Sequence, residues 1–86
     1  MNTMEATKVA KEALKELIGR DAETVSRCEF EDKLWRVVVE IIENRARLSD
    51  NDLVADYEVI LDLAGELKRY ARLRRYRRAD AARDAA

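Results

Sequence analysis

Apolar and polar positions change period once along the chain, repeating at helical spacing near the start and at strand spacing afterwards. Ala6, Val9, Ala10, Ala13, Leu14, Leu17 and Ile18 fall at i, i+3, i+4 and i+7 and form one stripe, while Lys8, Lys11, Glu12, Lys15 and Glu16 take the other side. Asn2 offers a side-chain oxygen to the free N–H groups of a first turn, with Glu5 three residues on. Gly19 stands where a left-handed residue would end the helix. The pattern predicts a helix over 3–18 that covers one face of a sheet.

Thr24, Val25, Cys28 and Phe30 predict a short strand over about 23–30, and Glu31, Asp32 and Lys33 a tight polar turn into the next one. The segment 34–44 is rich in β-branched residues and reads as the strongest strand. Trp35, Val37, Val39 and Ile41 would face the helix, and Arg36, Val38, Glu40 and Ile42 would face outward. Arg45, Arg47, Ser49, Asp50, Asn51 and Asp52 are loop chemistry. Beyond them, Leu53, Ala55, Tyr57, Val59 and Leu61 alternate with Asp56, Glu58 and Asp62, which predicts a strand over 53–62 and a return strand over 66–77.

Asp62 and Gly65 suit a three-residue loop, because Asp can hydrogen-bond into a type I turn and Gly accepts positive φ. Placing Asp62 opposite Glu66 pairs Leu61 with Leu67, Tyr57 with Ala71 and Ala55 with Leu73, and sets Asp56 against Arg72 and Glu58 against Tyr70. A two-residue turn on Ala64 and Gly65 would move Lys68, Tyr70 and Arg72 onto the face of Tyr57 and Leu61. The three-residue loop keeps charge out of the core and is preferred. Helix, strand, strand, strand, strand describes an α+β fold: an N-terminal amphipathic helix packed on a four-stranded antiparallel meander of order 1-2-3-4. Residues 1–78 would form one domain, and 79–86 a frayed or helical tail.

Composition narrows the chemistry. Eighty-six residues make one small unit, and no apolar run approaches the length of a membrane span. Residues 1–19 carry lysines and glutamates through their apolar stripe, unlike a secretory signal, so the protein is read as cytoplasmic. With no His and one cysteine, Cys28, metal binding and Cys–His catalysis are disfavoured, and since carboxylate pairs such as Asp56 and Glu58 would project from an exposed face rather than into a cleft, the chain is read as a non-enzyme with no cofactor. Cys28 is expected to pack as a small apolar residue.

The net charge of −1 conceals an asymmetry: residues 1–66 hold 9 Lys and Arg against 16 Asp and Glu, and residues 67–86 hold 8 against 2. The basic charge gathers on the last strand, where Lys68, Tyr70, Arg72, Arg74 and Tyr76 would share one face with Arg69, Arg75, Arg77 and Arg78 on or near the other. Tyr and Arg combine large contact area with directed hydrogen bonds, so Lys68, Tyr70, Arg72, Arg74, Arg75 and Tyr76 form a candidate partner-binding surface. Val38, Ile42, Val54 and Ile60 would add an exposed apolar strip. The plain alternative is a solvated edge strand kept from aggregating by its charge. A second alternative is nucleic acid, with phosphates on the basic residues and bases on the tyrosines, although the acidic remainder opposes it. The open edge would also admit self-association.

Trp35, Arg36 and Val37 running into Val39, Glu40, Ile41, Ile42 and Glu43, then Asn51, Asp52 and Leu53, then Tyr57, Glu58 and Val59, resemble the gas vesicle protein O (GvpO) family. The resemblance continues through Asp62, Gly65, Glu66 and Leu67 to Tyr70, Arg72, Arg74, Arg75 and Tyr76, and extends more weakly over 11–27. The loop at Leu48, Ser49, Asp50 and Asn51 departs from the family's usual Ile-Pro-Asp-Thr pattern. What the resemblance implies is an accessory protein of gas vesicle formation, an assembly or regulatory factor working with shell, ATPase or other accessory proteins of the vesicle. A minor structural component of the vesicle is a further implied role. It carries over no catalytic residue.

Overall fold

A computed structural model describes residues 1–80. The chain runs through α1 (Thr3–Ile18), β1 (Ala22–Glu31), β2 (Leu34–Asn44), a 3-10 turn (Ser49–Asn51), β3 (Leu53–Leu61) and β4 (Leu67–Arg77), and residues 78–80 turn into helix. The tail expectation from residue 81 onward lies outside the described residues. Four antiparallel strands form one sheet of order β1-β2-β3-β4, giving the α+β architecture that the pattern implied.

Asn2 Oδ1 accepts the Glu5 N–H at 2.9 Å, and Gly19, at φ 73°, donates its N–H to the Lys15 carbonyl. A lone helix of sixteen residues is marginal in water, so α1 draws its stability from docking. Ala6, Ala10 and Leu14 are its buried residues. The two alanines let the helix lie close over the sheet, and Leu14 fills the space beyond them. Trp35, Val37, Val39 and Ile41 of β2 meet this stripe with Val59 and Leu61 of β3, and Val25, Cys28 and Tyr57 pack at the margin. Burying each of the larger side chains contributes roughly 1.5–3 kcal/mol. The helix packs across β1, β2 and the near side of β3, so β4 projects past its cover.

Two turns fix the hairpins. Asp32 and Lys33 both adopt positive φ, 54° and 64°, between the paired Glu31 and Leu34, the mirror-image turn that suits twisted strands. Asp62 Oδ1 accepts the N–H groups of Ala64 and Glu66, both at 2.9 Å, and Gly65 adopts φ 86°. Asp62 therefore stands opposite Glu66 across a three-residue loop, and Leu61 pairs with Leu67.

Beyond that first pair the expected register fails. Lys68 is an extra residue between the pairs Leu61–Leu67 and Ile60–Arg69, and Leu73 is a second between Tyr57–Arg72 and Asp56–Arg74. Glu58 consequently meets Ala71 rather than Tyr70, and Ala55 meets Arg75 rather than Leu73. The physical reason lies in Asp56: two bulges bring it to Arg74 and Tyr76, where the expected register offered Arg72 alone.

Candidate interface on the last strand

Every residue of β4 except Tyr76 is exposed, and with β1 at the opposite margin β4 forms an open edge among the described residues. Its bulges divide the candidate residues between the faces. Leu67, Tyr70, Arg72, Arg75 and Arg77 pair with Leu61, Val59, Tyr57, Ala55 and Leu53 and so share the helix side. Arg69, Ala71, Arg74 and Tyr76 pair with Ile60, Glu58, Asp56 and Val54 on the other side. The single face expected for Lys68, Tyr70, Arg72, Arg74 and Tyr76 does not form, because each extra residue inverts the alternation.

On the helix side, Arg72 and Arg75 converge on one carboxylate. Arg75 Nε stands 3.1 Å from Glu43 Oε1 and Arg72 Nη1 stands 3.4 Å from Oε2, which also accepts the Tyr57 hydroxyl at 3.4 Å. Burial first, then the Glu43 charge, pushes the Tyr57 phenol above its ordinary range. On the opposite side, Arg74 Nε donates to Asp56 Oδ2 at 2.6 Å, and the Tyr76 hydroxyl donates to Oδ1 at 3.3 Å. The Arg74 guanidinium also lies 4.3 Å from the centre of the Tyr76 ring. Burial, followed by the charges of Asp56 and Glu40, raises the Tyr76 phenol, which keeps it a donor.

The apolar strip is largely covered, contrary to the exposure expected of it. Val54, Ile60 and Val38 are 1%, 5% and 8% exposed, and Ile42 is half-buried. The sheet's pairing supplies the cover: Val54 lies opposite Tyr76, Ile60 opposite Arg36, and Val38 between Arg27 and Glu58. Long side chains lay their apolar stems over such neighbours while holding their charges in water. Arg36 binds Glu58 in the same lattice, at 2.5 Å.

No local pattern in the chain announces the clasp at the end of β4. Arg78 Nη2 reaches both Glu23 oxygens, at 3.0 and 2.9 Å, and Asp52 Oδ2 at 3.4 Å, while its Nε donates to the Ser49 carbonyl at 3.1 Å. Asp52, 4% exposed, also accepts the Ala46 N–H at 2.7 Å. Hydrogen bonding to Glu23 leads the causes that raise the Arg78 pKa. Arg77 donates to the Asn51 carbonyl at 2.8 Å. The side chains of Lys68 and Arg69, by contrast, make no hydrogen bond or ion pair among the described residues. The uncompensated charge of β4 is therefore greatest at its start, where no carboxylate among the described residues answers it.

A shallow depression of about 280 Å³ at the end of α1 is bordered by Lys15, Arg20, Asp21, Glu23, Ile42 and Arg45. Lys15 is paired there with Asp21 at 3.3 Å, so charge of both signs lines it. Among the described residues no three His, Cys, Asp or Glu side chains are grouped to hold a metal, and no helix is long and apolar enough to cross a membrane.

A family model described as gas vesicle synthesis protein GvpO matches residues 1–82. The chain belongs to the GvpO family. It is 38% identical over 71 residues to gas vesicle protein O1 of Halobacterium salinarum, an alignment covering 83% of this chain and 60% of that protein. To gas vesicle protein O of a Streptomyces species it is 48% identical over 66 residues, 76% of this chain and 51% of the relative. To gas vesicle protein O of Haloferax mediterranei it is 39% identical over 72 residues, with 83% and 51% covered. This GvpO-family chain thus spans about half to three-fifths of the length of the curated relatives it matches. No solved structure matches it.

Proposed function

We propose that this GvpO-family chain is a non-enzymatic accessory factor of gas vesicle formation that binds other gas vesicle proteins through β4. The reading joins the family assignment to one observation: an exposed edge strand with six basic residues and no acidic one. Lys68, Arg69 and Tyr70 make the part of the surface without internal ion pairs, and Arg72 adds an exposed guanidinium that also reaches Glu43. Arg74, Arg75 and Tyr76 contribute through groups already engaged with Asp56 and Glu43. Arg and Tyr are the residue types that anchor interfaces, and a surplus of one charge selects an oppositely charged partner. A shell protein, an ATPase or another accessory protein of the vesicle, met in the cytoplasm or on the vesicle itself, is the partner class. Ile42, the half-buried member of the apolar strip, lies beside Val54 toward the other end of the sheet and offers a separate apolar contact.

Nucleic-acid stacking draws little support, since Tyr76 is half-buried beneath Arg74 and bonded to Asp56. The test is complementation of a host lacking its own copy of this chain. Lys68→Glu with Arg69→Glu, which breaks no internal pair, is expected to abolish vesicles while the protein accumulates at the normal level and melts normally. Normal vesicle yield from that variant would overturn the proposal.

A further inference from the structure

We propose that the free edge of β4 accepts an extended acidic segment of a partner protein as a fifth strand, an inference that rests on the protein-binding reading above. Among the described residues β4 pairs with β3 along one side only, so the other side of this eleven-residue strand presents unpaired backbone donors and acceptors. Alternating side chains of an added strand would lie beside both rows of β4. Both rows are basic: Arg72, Arg75 and Arg77 on the helix side, Arg69 and Arg74 on the other. From within the sheet Asp56 holds Arg74 and Glu43 is shared by Arg72 and Arg75, whereas the side chains of Lys68 and Arg69 have no partner among the described residues.

Charge decides the occupant. A second copy of β4 would set six basic residues against six, and like charges directly opposed across strands are destabilising. The other edge, β1, carries Glu23, Glu29 and Glu31, but Glu23 is held by Arg78 and Glu29 by Arg27 at 3.3 Å. Pairing β1 of one copy with β4 of the next is a head-to-tail contact, which leaves a new open edge at every step unless its rotation closes a ring. An acidic strand from a different protein meets neither obstacle. The bulges at Lys68 and Leu73 leave Arg69, Tyr70, Ala71 and Arg72 as the regular stretch on which it would register.

The probe is a fluorescein-labelled ten-residue peptide alternating Glu and Val, titrated against the full chain by anisotropy and by amide hydrogen exchange. Expected are saturable binding that weakens with salt, slowed exchange confined to β4, and at least tenfold weaker binding for Lys68→Glu with Arg69→Glu. A peptide with Pro at every second Val keeps the charge but cannot form a strand ladder, and it should also bind at least tenfold more weakly. Equal binding of the Pro peptide would reduce the site to charge alone and overturn strand addition. So would absence of binding, or sedimentation showing β4 already occupied by a second copy. Should the peptide fail while Lys68→Glu with Arg69→Glu still abolishes vesicles, strand addition falls and the protein-binding reading stands; failure of both experiments removes both.

Discussion

Replacing Asp52 by Ala tests whether the clasp below β4 holds the sheet's end together. The Asp52 side chain is 5% exposed and accepts the Ala46 N–H at 2.7 Å while pairing with Arg78 at 3.4 Å. Losing the first contact strands a partly buried backbone donor, which costs about 1–3 kcal/mol. The second is worth about 0–1 kcal/mol, because Arg78 is 33% exposed and keeps Glu23 and Ser49. The sum is about 2 kcal/mol, a fall in Tm of about 8–16 °C for a chain of this size. Asp52→Asn retains an oxygen for Ala46 and loses only the charge, so it should cost about 1 kcal/mol or less. Urea and thermal unfolding of both variants measure this directly. An Asp52→Ala protein within 0.5 kcal/mol of wild type, or an Asn variant as costly as the Ala one, would refute the clasp; the threshold is about the scatter among ordinary surface substitutions.

Leu14→Ala removes the largest buried side chain of α1 and is expected to cost about 2–5 kcal/mol in urea unfolding; a smaller loss would mean the helix is loosely docked. Lys33→Gly relieves a positive φ of 64° and should gain about 0.5–1 kcal/mol, read as a higher Tm. Burial, then Asp56 and Glu23, pushes the Glu40 carboxyl above its ordinary range, against the lowering pull of Arg78 and Arg74. A carboxyl raised on folding favours the folded state while protonated; its contribution is present below the unfolded-state pKa and is lost as pH climbs through the folded-state value. Glu40→Gln should therefore raise Tm at pH 7 and leave it unchanged near about pH 3, and an equal gain at both pH values would show that ionisation of Glu40 is not the cause.

Local patterns were legible and long-range ones were not. The stripe from Ala6 to Ile18, the cap at Asn2 and the stop at Gly19 act within a turn or two, so spacing exposes them. The alternation of Trp35, Val37, Val39 and Ile41 likewise identifies the inner face of β2. A period of two has no means of anticipating an inserted residue, however, and the bulges at Lys68 and Leu73 redistributed the arginines of β4 between faces. The burial of Val54 and Ile60 depends on which long side chains lie opposite, which register alone decides. Arg78 and Glu23 meet across 55 positions, and nothing local marks either as a partner of the other. The role of Glu43 as an arginine partner was hidden for the same reason, since Arg72 and Arg75 reach it only once β4 has folded back beside β3.

The central claim is that the start of β4 binds another gas vesicle protein, and a tagged co-purification tests it most directly. Wild type and the Lys68→Glu, Arg69→Glu variant would each be co-expressed with the remaining proteins of a gas vesicle cluster. The account predicts a specific partner recovered with wild type and lost with the variant at unchanged folding and expression. Equal recovery by both proteins would contradict it and move the interface off β4.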